Sequence, residues 1–435
     1  MPDYHALAAD LLAAPALAPG FVAPRYDGWG IANVAPTILR IFGVADDHPG
    51  LDEAVLPPAM LDGVSRVVVL MVDAFGWLQL HDELARQPDL FLGQLIRREG
   101  VAFAPLTSVF PSTTVNALTT ANTGAQPIEH GILGYTLWLK EFGAVSEMIT
   151  FGPYAANGWS YAQAGVDPVD FQPLPSIFGR TREAGVASYL VNAALYQRSP
   201  LSLMQSTGAT YVSYIGLSDG LAHIRRLVET PGAERMLIGA YYGQLDAICH
   251  VYGTGTPQHA AEVAQLDAAL RREIFDPIDR ADTLFMMYAD HGHINCDDEH
   301  TIDLVEDTAL LRDLTVGPTG EGRARYLHVR HGRLAAVRAH LQERYGAFST
   351  LLDAEEGIAL GLFGPAMPAE RARERIGDLV LLPRENYYFH HYPTPRQKAL
   401  TMIGRHGGLT PEEMLVPFLA VRLGSDESGV GSRES

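Results

Sequence analysis

Along this chain the hydrophobic positions fall into two patterns. Short, unbroken apolar runs rich in β-branched residues occur at 66–72, 101–109, 187–191, 209–215, 236–242, 283–289, 324–330, 378–382 and 415–421. Unbroken runs of this length mark strands buried on both faces, as in a parallel sheet. Helix-period patterns stand between several of them, at 75–86, 91–98, 218–230, 258–273 and 332–345. The hydroxyl residues of Ser112-Thr113-Thr114 sit where a further helix would start, and Gly124 where it would stop. Strands alternating with helices predict an α/β fold, a largely parallel central sheet flanked by helices.

The regularity breaks in two places. Residues 1–60 read as a helical approach segment, with a Pro/Gly-rich passage before a short helix near 36–42. Residues 305–395 are more charged, with Arg323, Arg325, Arg330, Arg333 and Arg338, and end in the aromatic cluster 387–392. They predict a cap subdomain inserted before the last core strand. The catalytic core is then 61–304 and 396–424, and 425–435 reads as a disordered tail.

Composition narrows the function. A chain of 435 residues, 47% hydrophobic, can bury a large core. A net charge of −19 argues against nucleic-acid polymers and anionic membranes as partners. Two cysteines, Cys249 and Cys296, give no disulfide framework. No uncharged apolar run is long enough to span a bilayer, and the N-terminus lacks a basic leader. The expectation is a cytoplasmic protein acting on a small molecule, its oligomeric state open.

Chemistry-bearing residues gather at the ends of the predicted strands. The run Val67–Val72 closes on Asp73, which either serves the site or caps the next helix. Asp246 and His250, four residues apart, share one helical face after the strand 236–242. Asp290-His291-Gly292-His293 follows the strand 283–289, and His406 stands in Gly404-Arg405-His406-Gly407-Gly408. Together these supply three Asp and three His, enough for two cations. Mixed carboxylate and imidazole ligation suits Zn²⁺ best and Mn²⁺ next. Cys249 should point off the Asp246/His250 face into the core, and Cys296 reads as inert. His293 is within reach of the ligand sets and takes a supporting place. His390 and His391 either line the pocket or, the favoured reading, form a solvated aromatic turn, and Arg405 meets either a phosphate or a surface acid.

On these motifs the chain resembles the alkaline phosphatase superfamily, in particular its type I phosphodiesterase/nucleotide pyrophosphatase branch, over about 66–135, 236–295 and 400–421. In that branch the nucleophile lies ten residues before the Gly of a Thr-Gly pair. Thr123-Gly124 is that pair, so the nucleophile would be Thr114, with Thr113 the alternative by one position. Glu129-His130-Gly131-Ile132 is similar to the family's His-Gly-Ile. The resemblance implies one metal on Asp73, Thr114, Asp290 and His291, and a second on Asp246, His250 and His406. It also implies a phospho-threonine intermediate that water hydrolyses.

The chain departs from that pattern at two points. The family's phosphate-contacting Asn, about twenty-one residues after the nucleophile, is Tyr135 here, and the residues after Thr114 are Val115-Asn116. Asn116 and Tyr135 are therefore candidates for substrate binding, Asn116 being equally readable as a polar residue of the first helical turn. The segment 407–417 is also similar to the PglZ branch. The expected function is a metal-dependent phosphodiesterase or nucleotide pyrophosphatase. A phosphomonoesterase, phosphonate hydrolase or phosphomutase on the same core is the alternative. A non-catalytic metal- and phosphate-binding module is the reading of another class.

Overall fold

A computed structural model describes residues 4–14, 17–156, 158–232, 234–392 and 402–424. The expected tail 425–435 lies outside the described residues, as do 396–401 at the start of the returning core segment.

The apolar runs become a seven-stranded sheet. In spatial order its strands are Val101–Thr107, Leu415–Leu423, Thr283–Tyr288, Arg66–Val72, Met236–Tyr242, Ala187–Ala193 and Thr210–Tyr214. Arg66–Val72 lies at the centre, buried along its whole length. It pairs in parallel with Met236–Tyr242 on one side and Thr283–Tyr288 on the other. Leu415–Leu423 runs antiparallel to both of its neighbours. Helices cover the sheet, among them Trp77–Arg86, Thr114–Thr123, Leu217–Glu229 and Pro257–Leu270. This is the predicted architecture: α/β, largely parallel, with helices around one sheet.

The registers align the strand ends. Val72 pairs with Tyr242, Met71 with Tyr288, and Leu415 with Thr107. Because the last strand is antiparallel, its beginning lies at the edge where the parallel strands finish. Segments following 72, 107, 242 and 288, and the segment preceding 415, therefore converge on one rim.

A second sheet of seven strands stands apart from the first. Its order is Ser349–Asp353, Leu379–Pro383, Ala324–Leu327, Thr319–Glu321, Thr136–Leu139, Ala144–Glu147 and Gly152–Pro153. All of its pairings are antiparallel. Three of the strands come from 136–153, nearly two hundred residues before the others. A small core of its own, with Leu304, Leu341, Tyr345 and Phe389, packs within the later segment. No helix among the described residues is long and apolar enough to cross a membrane.

Candidate metal centre and nucleophile

Asp73 follows the central strand directly, and its backbone N–H still bonds Tyr242 O at 2.9 Å. The chain then turns through Ala74 at φ +65°. A non-glycine residue there carries roughly 1–3 kcal/mol of strain. The turn aims the Ala74 N–H at Asp290 Oδ1, 3.1 Å away, which ties the ends of two adjacent strands together. Gly76 and Gly292 let the two following loops cross. A Cβ on Gly76 would come within 2.9 Å of Gly292 Cα, and one on Gly292 within 2.1 Å of Glu412 O.

Two groups of ligand-type side chains result. Asp73, Asp290 and His291 form one; Asp246, His250, His293 and His406 form the other. Within each group the ligand atoms lie within 4.8 Å of one another. In the first, His291 Nε2 is 3.4 Å from Asp73 Oδ1 and 3.4 Å from Asp290 Oδ2. In the second, Asp246 Oδ1 lies 2.8 Å from His293 Nε2, 3.4 Å from His250 Nε2 and 3.8 Å from His406 Nε2.

Backbone carbonyls choose the tautomers. His250 Nδ1 is 2.8 Å from Gly404 O, His406 Nδ1 is 3.1 Å from Ser112 O, and His291 Nδ1 is 3.1 Å from Gly292 O. A carbonyl only accepts, so each Nδ1 carries the proton and each Nε2 keeps its lone pair toward the acids. That is the form of imidazole that binds a cation. Gly404 has no room for a side chain, since a Cβ would lie 2.3 Å from Cys249 O and 2.6 Å from His293 Nδ1.

The electrostatics point the same way. Burial, then the charges of Asp290 and Asp246, push the Asp73 carboxyl well above the usual carboxylate range. Burial opposes ionisation of Asp246 too, but His250, His293 and His406 outweigh it and hold that carboxyl low. Burial, then His291 and His293, pushes His406 well below the ordinary imidazole value, and burial takes His293 down to about 4. Asp73 Oδ1, Asp290 Oδ2 and His293 Nδ1 are buried without a hydrogen-bond partner among the described residues. Crowded carboxylates, unpartnered buried oxygens and neutral imidazoles together fit divalent cations, which would satisfy all three.

Thr114 is the first residue of the helix Thr114–Thr123, which ends on left-handed Gly124. Its Oγ1 lies 3.4 Å from Asp73 Oδ2 and 3.2 Å from His291 Nε2. Thr113 is the residue before the helix, and its hydroxyl turns the other way, donating to Glu321 Oε1 at 2.8 Å. Burial pushes the Glu321 carboxyl up to about 7. Ser112 Oγ donates to Gly408 O at 2.8 Å and accepts from Gly407 N at 3.2 Å, fastening the turn before Thr114 to the His406 loop.

The two substrate-binding candidates part company. Tyr135 lines a cavity beside Thr113 and Thr114. Asn116 is fully buried, donates to Pro111 O at 2.8 Å and lines neither cavity that reaches Thr114. Its position ties the helix to the turn before it. His293, given only a supporting place in the sequence, joins the second ligand group. Its signal was the two-residue spacing from His291, which puts both side chains on one side of an extended segment. Tyr241 was not foreseen: its hydroxyl donates to Asp73 Oδ2. Cys249 and Cys296 are both buried.

The model of the type I phosphodiesterase/nucleotide pyrophosphatase family matches residues 67–409. No curated protein matches the chain. Among solved structures, murine ectonucleotide pyrophosphatase/phosphodiesterase 5 is similar with a TM-score of 0.61 at 18% identity, covering 82% of this chain and 88% of that one. An inactive threonine-to-alanine variant of that protein, in complex with AMP, gives a TM-score of 0.58 at 18% identity, with coverage of 82% and 88%. Phosphonoacetate hydrolase from Sinorhizobium meliloti, in complex with phosphonoformate, gives 0.59 at 18% identity, covering 85% of this chain and 92% of that one. At these identities the structural likeness establishes the fold.

Proposed function

The chain belongs to the type I phosphodiesterase/nucleotide pyrophosphatase family, and on that premise we propose that it is a two-metal phosphodiesterase with Thr114 as nucleophile. Membership makes it a metal-dependent hydrolase of phosphoric esters. The single observation carrying the finer reading is the Thr114 hydroxyl, at a helix start and against both Asp73 and His291. That an alanine in place of a threonine inactivates the murine relative supports it.

Asp73, Asp290, His291 and Thr114 would hold one cation, and Asp246, His250 and His406 the other, with His293 against Asp246. Zn²⁺ suits these donors best and Mn²⁺ next. When bound, the cations lower the pKa of the threonine hydroxyl and neutralise the phosphoryl oxygens. The chain's own residues do the rest. The N–H groups of Thr114 and Val115 at the helix start hold a phosphoryl oxygen. Thr114 Oγ bonds to phosphorus as its proton passes to solvent. The bond to the departing alcohol breaks, and that oxygen leaves with the electron pair and takes up a proton. Water then cleaves the phospho-threonine, restoring the hydroxyl and freeing a monoester.

In this reading the core segments 61–304 and 396–424 supply the chemistry. Selection of substrate falls to 305–395 and to the strands of 136–153 that share its sheet. The test compares 4-nitrophenyl phenyl phosphate with 4-nitrophenyl phosphate on metal-loaded protein. The diester should be favoured at least about ten-fold in kcat/KM, roughly 1.4 kcal/mol. Acid quenching during turnover of the diester should leave a phenylphosphoryl group on the Thr114 peptide by mass spectrometry. Equal efficiency on both esters, with no modified peptide, overturns the reading.

A further inference from the structure

Thr114 lies in the wall between two cavities of opposite chemistry. One, of about 130 Å³, is bordered by Ile38, Met71, Phe178, Leu190 and Leu201. The other, of about 400 Å³, carries Arg325, Arg405 and Glu321 beside the ligand candidates Asp246, His250 and His406. Ile149 lines both. The first cavity rests on the central sheet, and the second takes part of its wall from the second sheet and the strand Tyr388–His390.

Arg325 is the unusual residue. Four arginines are buried among the described residues: Arg66, Arg323, Arg325 and Arg375. Arg66 pairs with Asp282, Arg323 with Glu413 and Arg375 with Glu141. Arg325 pairs with no carboxylate among the described residues. It is 5% exposed, and its Nε and Nη2 both donate to Phe389 O, at 3.1 and 2.8 Å. Arg405, across the same cavity, lies over the Tyr388 ring at 4.2 Å and likewise has no acidic partner among the described residues. The acids that border the cavity are otherwise engaged: Glu321 accepts from Thr113 and from the Tyr135 N–H, and Asp246 faces the three histidines.

A buried guanidinium that forms no direct ion pair is costly, and Glu321, on the same cavity wall, acts on Arg325 only from a distance. A guanidinium left unpaired on a cavity wall is a site for an anion that arrives with a ligand. A phosphodiester brings two arms, and Thr114 faces one cavity for each. We propose that the Arg325–Arg405 cavity binds a second anionic group, a carboxylate or a phosphoryl group, on one arm of a diester whose other arm is apolar. This rests on the phosphodiesterase reading and names its substrate class.

The test uses three 4-nitrophenyl phosphodiesters whose second alcohol is butyl, 4-carboxybutyl or 4-phosphonobutyl. The charged arms should raise kcat/KM at least ten-fold over butyl, and the better of the two identifies the group. Arg325→Gln and, separately, Arg405→Gln should bring the charged-to-butyl ratio close to one. Arg325 also holds the Phe389 carbonyl, so Arg405, whose side chain lies on the Tyr388 ring, is the variant that better keeps the fold. Calorimetric binding of the same esters to Thr114→Ala should show the same ten-fold preference without turnover. Equal kcat/KM and equal binding for the three esters, or a ratio that neither substitution moves, overturns the proposal. If no ester is turned over, the phosphodiesterase reading falls, and the calorimetry still decides the anion site.

Discussion

The imidazole rings of His291 and His406 stack face to face, with centroids 3.8 Å apart and planes 13° from parallel. His291 belongs to the group with Asp73 and Asp290, and His406 to the group with Asp246. The stack is the seam between the two groups. Each ring spends its Nδ1 proton on a carbonyl and keeps Nε2 for its own acids, so in the proposed reading neighbouring rings would serve neighbouring cations. Two protonated rings would repel at this distance, and burial, followed by His291 and His293, keeps His406 from protonating near neutrality.

Metal content follows from that arrangement. Elemental analysis is expected to find two divalent ions per chain, zinc foremost. Chelation should abolish turnover and lower the unfolding temperature, because the cations bind only the folded site and relieve the repulsion around Asp73. Active protein with no transition metal would sink the prediction.

The two threonines separate by direction. Thr114→Ala should cut turnover by at least about a thousand-fold while leaving fold and metal content largely intact, since Asp73, Asp290 and His291 remain. Thr113→Ala removes a bond to Glu321 and should cost about ten-fold or less. An interchange of the two effects would move the nucleophile by one residue.

His293→Leu tests the second ligand group. Loss of the 2.8 Å contact with Asp246 should weaken one of the two ions about 10- to 100-fold while sparing the other. Competition with a chromophoric chelator reads both affinities. Uniform weakening of both ions would instead point to a folding defect.

Glu413 anchors the loop that carries His406. Both partners of the Arg323–Glu413 pair are fully buried, 2.8 Å apart, and Glu413 also accepts from Gly408 N and Thr410 Oγ1 at 2.8 Å each. Glu413→Gln strands a buried guanidinium and should destabilise the protein by about 3–5 kcal/mol. Denaturant unfolding measures it, and a loss below 1 kcal/mol would refute it.

The pH dependence of stability has a named source. His48 sits 3.0 Å from Asp46 and 2.8 Å from Glu129, and those partners raise it from 6.5 to about 10. A pKa raised on folding contributes stability that is full below 6.5 and is lost as pH rises through about 10. The unfolding temperature of the wild type should fall across that window more than that of His48→Gln. Parallel curves would remove His48 as the cause.

Much of this protein was determined by sequence alone. Strands such as Arg66–Val72 and Met236–Tyr242 are local features: a buried parallel strand must be apolar throughout, and such runs stand out. Because such strands end at one rim, Asp73, Asp246, Asp290 and His291 were legible as a candidate site from their places just beyond apolar runs. The second sheet was far less legible. Its strands Thr136–Leu139 and Thr319–Glu321 are four and three residues long and meet through one pairing, Thr136 with Gly320, across 184 positions. Strands so short carry no period, and a partner so distant leaves no local trace. The expected strand 324–330 stops at Leu327 for a related reason, since Leu379–Pro383 pairs with it only that far. Tertiary packing alone decided that Asn116 turns inward to Pro111, that His293 reaches Asp246, and that Arg325 comes to line a cavity with Thr114. Each depends on which distant backbone a side chain meets, and the order of residues along a chain does not carry that distance.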